Sequence, residues 1–288
     1  MMDRAEHILV VSTVADMRAW VKREREAGRS VGFVPTMGAL HEGHLSLIRR
    51  ARAECDCVVV SVFVNPKQFG PHEDFNRYPR TPEEDRQQAA GAGARVMFEP
   101  SVEEMYPDGF VTYVVQERLA ERLEGAVRPG HFRGVCTVCL KLFNIVQPDA
   151  AYFGQKDYQQ SVVVRRMVRD LNLPLRIQVL PTVREEDGLA MSSRNRYLKC
   201  EEREQARCLS RALREAERLF RSGERRAPVL VQAMVDEIRR EPLARIDYVE
   251  IVDPETLESV QGAAPGTVAL MAVRIGATRL IDNTIFHA

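Results

Sequence analysis

The sequence predicts an α/β protein: a doubly wound parallel sheet over roughly the first two-thirds of the chain, then a smaller α+β domain. Three observations predict it. Short runs that are apolar at every residue and rich in β-branched side chains alternate with segments of helical period. A strand that is apolar throughout is one buried on both faces, as in a parallel sheet covered by helices on each side. Near Thr182 the alternation stops, and two amphipathic helices then precede three strand-like runs, the order of an α+β unit.

In chain order, the strand 8-ILVV-11 leads to the helical pattern 13-TVADMRAWVKREREAG-28, and 31-VGFV-34 to 44-HLSLIRRARAE-54. The strand 58-VVVSVFV-64 precedes the helix 82-PEEDRQQAAGAG-93, and 95-RVMF-98 precedes 134-GVCTVCLKLFNIV-146. The strand 151-AYF-153, the helix 157-DYQQSVVVRRMVRDLN-172 and the strand 175-LRIQVL-180 complete this part. Valine and isoleucine, stiff at χ1, fit a pleated surface, which is why these runs read as strands. After the polar stretch 181-PTVREEDGLAMSSRNRYL-198 come helices near 201–221 and 228–240, then strands 246-IDYVEIVD-253, 267-TVALMAVRI-275 and 278-TRLIDN-283. Residues 1–182 are therefore expected to form a Rossmann-like ligand-binding domain, and 183–288 a smaller domain hinged to close over it. Ligands of such a sheet sit beyond the carboxyl ends of its strands.

Composition narrows the function. The 288 residues are 45% hydrophobic and 28% charged, ordinary for a soluble globular chain. Lys+Arg and Asp+Glu are both 41, and this balance argues against a nucleic-acid or anionic-membrane binder. No apolar run approaches the about 20 residues of a membrane span, and the start, MMDRAEHILVVS, lacks the pattern of a secretory leader. The expected location is the cytoplasm. Only five lysines occur, which singles out Lys156 at a strand-to-helix junction. The CxxC at 136-CTVC-139 lies on a helical stripe with Val135, Val138, Leu142, Phe143 and Val146, so its cysteines read as core residues. A redox or zinc pair needs a helix mouth or a second ligand pair.

The chemistry-bearing segments follow the strands. After 31-VGFV-34, the loop 35-PTMGALHEGH-44 holds two histidines three residues apart and two glycines, Gly38 and Gly43, that let backbone approach a ligand. The helix beginning there offers free N–H groups to an anion, and His41 and His44 can face one space. A zinc protease would need HExxH, with histidines four apart; no third ligand is evident here, so no protein-held metal is expected. Asn65 and Gln68 in 65-NPKQF-69 are orientable hydrogen-bonding groups. The segment 154-GQKDYQQ-160 opens another helix with Gly154, Lys156 and Asp157, where a lysine suits phosphate as a point charge. In 191-MSSRN-195, two hydroxyls and a guanidinium fit either a helix cap or a clamp on distal phosphates.

The segments PTMGALHEGH, VFVNPKQF, YPRTPEEDR, RPGHFRGV, FGQKDYQQ, PTVREEDGLAMSSRNRYL and DYVEIVDPETL occur in order between residues 35 and 257. Together they closely resemble the pantoate–β-alanine ligase family of the HIGH-type nucleotidyltransferase superfamily. The resemblance implies a ligase that joins pantoate to β-alanine with ATP and Mg²⁺, through a pantoyl-adenylate, and that works as a homodimer. It also implies an ATP site of Met37, Gly38, Ala39, Leu40, His41, Glu42, Gly43 and His44, with Gly154, Gln155, Lys156, Asp157, Val183, Met191, Ser192, Ser193 and Arg194. His44, His41 and Lys156 would be catalytic, and Gln68 and Gln160, with Asn65, would hold pantoate. Where the family commonly has glutamate, this chain has Gln155. The chemistry suits these residues: attack of a carboxylate on an α-phosphate builds negative charge that histidine and lysine donors stabilise, with no protein nucleophile needed.

Overall fold

The computed structural model describes residues 8–71 and 73–288; the sequence reading of residues 1–7 lies outside them. Six strands form one parallel sheet: β1 (Leu9–Val11), β2 (Val31–Thr36), β3 (Cys57–Val62), β4 (Val96–Phe98), β5 (Ala150–Gly154) and β6 (Arg176–Leu180). Their spatial order is β1-β4-β3-β2-β5-β6, every neighbouring pair parallel. From β2 the chain winds outward through β3 to β4, while from β5 it winds the other way to β6. The crevice at the carboxyl ends of β2 and β5 is thus the topological switch point, where ligands of open α/β sheets bind.

Residue parity explains the two-sided cover. Val31, Phe33, Cys57, Val59, Ala151 and Phe153 face one hydrophobic cluster, shared with the helices α1 (Val14–Glu26), α6 (His131–Val146) and α7 (Tyr158–Asp170). Their alternates Val34, Val58, Val60, Ala150 and Tyr152 face a second cluster with α2 (Glu42–Glu54) and α3 (Pro82–Gly91). The central strands β2 to β5 are nearly all buried because both faces are covered, whereas the edge strands β1 and β6 are partly exposed.

Two one-turn helices, α4 (Val102–Met105) and α5 (Glu124–Val127), are too short to carry a period and were not expected. Helix α6 begins three residues earlier than the apolar pattern suggests, at His131 after Gly130 in a left-handed conformation. Gly134 in its first turn meets the Pro66–Gln68 turn backbone to backbone: a Cβ there would lie 2.3 Å from the Lys67 carbonyl oxygen.

The remaining elements are α8 (Cys200–Ala206), α9 (Cys208–Arg221), α10 (Ala227–Arg239) and an antiparallel sheet of β7 (Ala244–Val252), β8 (Val268–Ile275) and β9 (Thr278–Ile285). The single helix expected over 201–221 is in fact two, broken at Arg207. There the Arg207 carbonyl accepts both the Ser210 hydroxyl and the Arg211 amide, at 3.1 Å each. One cluster, from Leu189 to Phe286, unites α9, α10 and this sheet. A smaller one packs Tyr158 and Val162 of α7 against Val252, Leu257, Val268 and Leu270, fastening the small sheet beside the switch point.

Candidate active site

The loop after β2 is held from below. Gly38 stands at φ 85° and Ala39 at φ 49°, a left-handed conformation that costs an alanine. The buried Asp85 of α3 accepts the Ala39 amide at 2.9 Å and the Leu40 amide at 2.7 Å, with the Thr81 hydroxyl at 3.1 Å. A Cβ on Gly38 would lie 2.9 Å from Val62 and 3.0 Å from Asp85, so this turn requires glycine. His41 then becomes the N-cap residue of α2 without capping it through its side chain. The His44 amide donates to the His41 carbonyl at 2.8 Å, and the Glu42 and Gly43 amides, with no partner among the described residues, are left to an anion.

The His41 and His44 rings lie 4.1 Å apart between centroids, tilted by 35°. Gly43 makes room: a Cβ there would meet the His41 ring at 2.9 Å. Burial, then the Lys156 charge, pulls His41 down to about 4. Burial, then His41 and Lys156, holds His44 well below the usual histidine range. Both imidazoles are therefore neutral near neutral pH, and both Nδ1 atoms are sheltered with no partner among the described residues. Unspent polar atoms of this kind are aimed at a ligand.

On the other side of the crevice, Gly154 ends β5 and Lys156 stands at the mouth of α7 with its side chain 19% exposed. Its nearest carboxylate is Asp157, at 3.7 Å, too far for a tight pair. The carbonyls of Gln155 and Lys156 are both held by Asn283 Nδ2 from β9, at 3.0 and 2.9 Å. Gln155 Nε2 donates to Asn283 Oδ1 at 3.2 Å. A glutamate at 155 would set two acceptors face to face here.

Gln68 and Gln160 line the same cavity, of about 190 Å³, as His41, His44 and Lys156. Gln68 is buried; its Oε1 accepts from Asn65 Nδ2 at 3.0 Å, and its Nε2 lies 3.1 Å from Met37 Sδ. Asn65 itself is locked by Tyr106 and the Gly134 carbonyl, so it orients Gln68. Val135, Val138, Cys139 and Leu142 of α6 form an apolar wall. The CTVC cysteines are buried and unbridged in the core, and Cys139 also reaches this wall.

From the stretch after β6, Val183, Met191, Ser192, Ser193 and Arg194 complete the cavity. Ser192 caps its own short turn, accepting from the Arg194 amide, while the Ser193 hydroxyl donates to the Ala39 carbonyl at 3.1 Å, tying this segment to the histidine loop. Arg194 forms two 2.9 Å bonds with Asp74; burial opposes its charge, but these bonds and the Asp74 charge outweigh burial and raise its pKa. A second cavity, of about 550 Å³, opens alongside and shares Lys156, Asp157, Gln160, Ser192 and Arg194 with the first.

Of the residues expected at the ATP site, Met37, His41, Gly43 and His44 line the cavity, with Gly154, Lys156, Asp157, Val183 and residues 191–194. Gly38, Ala39 and Leu40 are buried behind it, Glu42 pairs with Arg49, and Gln155 faces Asn283. Sequence reasoning missed Asp85, Asn283 and the cavity-lining Tyr78. Tyr78 and Asp85 lie in the motif YPRTPEEDR and Asn283 closes the run 278-TRLIDN-283, but neither segment says in sequence what these residues touch. Among the described residues, no group of three His, Cys, Asp or Glu is arranged to hold a metal ion.

A doubly wound sheet with anion-ready helix mouths, neutral histidines and a lysine at its switch point defines a Rossmann-like nucleotide-binding enzyme. The family model for pantoate-beta-alanine ligase matches residues 9–285, and the chain belongs to that family. It is 57% identical over 278 residues to pantothenate synthetase from Pelotomaculum thermopropionicum, covering 96% of this chain and 99% of the relative. Its identity to that of Moorella thermoacetica is 58% over 278 residues, 96% of this chain and 98% of the relative. The crystal structure of pantothenate synthetase from Thermus thermophilus superposes with a TM-score of 0.93 at 51% identity, covering 98% of this chain and 100% of that one. The ligase from Francisella tularensis, solved with beta-gamma ATP and beta-alanine, gives a TM-score of 0.81 at 34% identity over 96% and 97%.

Proposed function

We propose that this chain condenses pantoate with β-alanine at the expense of ATP, releasing pantothenate, AMP and pyrophosphate through a pantoyl-adenylate. The observation that carries the reading is one cavity lined both by a neutral histidine pair with Lys156 and by Gln68 and Gln160 against an apolar wall. The glutamines hydrogen-bond pantoate without adding charge, and Val135, Val138 and Leu142 receive its apolar carbons. Its carboxylate oxygen then bonds the α-phosphorus while the α–β phosphoanhydride bond breaks and pyrophosphate leaves. His44 and His41 donate N–H groups to the phosphate oxygens, and Lys156 offsets the charge that builds there. In the second step the β-alanine amine bonds the acyl carbon and AMP departs. Fixing both reactants in line supplies several kcal/mol of the effect, on the order of 7–11 kcal/mol at best.

Mg²⁺ would enter on the triphosphate. The single carboxylate at Lys156, Asp157, fits an ion held mainly by phosphate oxygens and water. Residues 1–182 and 183–288 act as two domains that close over the nucleotide, a reading supported by the Ser193–Ala39 bond across the boundary. The family resemblance supports a cytoplasmic homodimer, and exposed Val111 and Val115, at 82% and 68%, supply apolar surface for a second copy. No described helix is long and apolar enough to cross a membrane.

Isotope exchange tests the order of steps. With pantoate and Mg²⁺ but no β-alanine, labelled pyrophosphate should enter ATP, and omitting pantoate should abolish the exchange. Exchange that strictly requires β-alanine refutes the adenylate.

A further inference from the structure

We infer that Glu124 is a positioning residue that couples the small antiparallel sheet to both glutamines proposed to hold pantoate. Glu124 is buried, and its carboxylate is held from the far side by the small sheet: Tyr248 OH donates at 2.8 Å, and the two Arg279 guanidinium nitrogens donate at 2.7 Å each. Asp247 braces Arg279 at 2.6 Å, so the fork cannot swing away.

Two branches run from Glu124 into the site. In the first, Arg128 Nη1 lies 3.7 Å from Glu124 and 3.2 Å from His131 Nε2, while its other nitrogens grip Glu73 at 2.7 and 2.6 Å. A guanidinium only donates, so His131 Nε2 accepts and its proton sits on Nδ1. That Nδ1–H then donates to the Gln68 carbonyl at 2.9 Å. Burial, then Arg128, keeps His131 neutral, at about 4, so this tautomer persists. In the second branch, the Glu124 amide donates to Gln159 Oε1 at 2.9 Å, and the Gln159 side chain also donates to the Leu119 and Arg122 carbonyls at 2.8 Å each. Gln159 is the neighbour of Gln160 on α7. The Glu124 carboxylate therefore ties the small sheet, through Arg128 and His131, to the backbone of Gln68, while the backbone amide of the same residue holds the turn that carries Gln160. Displacement of the sheet would be felt at both.

The inference rests on the reading of Gln68 and Gln160 as pantoate ligands, and the test separates the two. Glu124→Gln keeps the shape, the amide and one acceptor, but turns an N–H₂ group toward Arg279 and removes the charge that draws Arg128. Its KM for pantoate should rise about tenfold, the scale of a small misplacement of a binding group, with the KM for ATP within about twofold. Arg279→Lys, which keeps charge and loses the fork, should show a smaller change in the same direction. In a Gln68→Ala background, Glu124→Gln should add less than about twofold to the pantoate KM, since it spares the backbone-amide branch to Gln160 and the group its carboxylate positions is gone; independent sites would add in full. A residue that only stabilises the fold would lower the melting temperature and leave this split and this non-additivity absent. Unchanged pantoate KM in Glu124→Gln, or full additivity with Gln68→Ala, overturns the coupling while leaving the pantoate site standing. If Gln68→Ala itself leaves the pantoate KM unchanged, both readings fall.

Discussion

Replacing Asp85 with asparagine puts the histidine loop under a test whose size follows from its bonds. The carboxylate accepts two buried amides, Ala39 at 2.9 Å and Leu40 at 2.7 Å, and so holds Ala39 at φ 49°. Hydrogen bonds to a charged group contribute about 1.5–3 kcal/mol each, while a left-handed alanine costs about 1–2 kcal/mol. The pair wins, and the turn stays formed. Asparagine keeps one oxygen for one amide but turns an N–H₂ group toward the other. One neutral bond of about 0.5–1.5 kcal/mol then stands against an orphaned donor costing about 1–3 kcal/mol and the unrelieved strain. The loop should relax and carry His41 and His44 with it. A shift near 1 Å costs on the order of 10² in rate. Steady-state AMP formation should therefore fall about 100-fold, with thermal unfolding followed in parallel to show that the variant still folds. Turnover within about twofold of the parent enzyme, in a folded variant, would refute the argument that this carboxylate sets the loop.

His44→Ala should keep the fold and lose on the order of 10²–10³ in the adenylation rate, read as pyrophosphate exchange; near-normal exchange removes it from the chemistry. Lys156→Ala should raise the KM for ATP and slow turnover, because a point charge on phosphate is lost, whereas an unchanged ATP dependence would make Lys156 a surface residue. Stability should depend on histidine protonation. His41 and His131 are held at about 4 against an ordinary 6.5, so the unfolded chain takes up their protons first. Their contribution is whole above 6.5 and is lost as pH falls toward 4. Urea midpoints should already drop between about pH 7 and about pH 5.5, above the range where carboxylates titrate; equal midpoints would contradict the burial argument. ATP with pantoate should protect residues 183–197 from proteolysis, and identical digests with and without ligands would count against closure.

Much of the large domain was legible because its signals are local. A run such as 58-VVVSVFV-64 needs cover on both faces wherever it lies, and Gly38 and Gly43 mark places where backbone must turn or yield to a ring. Strand-to-helix junctions could therefore be picked out as candidate site segments before any neighbour was known. The break at Arg207 was not legible, because the residues on both sides of it keep one helical pattern. Cys139 was legible as core, but not as part of the cavity wall, since one helical stripe serves both.

The sequence by itself determined which segments are strands, which helices cover them, and which residue types stand at the strand ends. The tertiary structure decided that β2 lies beside β5, and so that the histidine loop faces Lys156 and Gln160. A crossover helix can return a strand to either side of its sheet, and the local pattern is the same in both cases. Structure also decided partners: Asp85 beneath Ala39, Asn283 on the Lys156 carbonyl, Asp74 on Arg194, and Arg279 on Glu124, 155 residues away. A buried charge must be paired, but its own neighbourhood in sequence does not say by what, because the partner arrives only when distant elements pack.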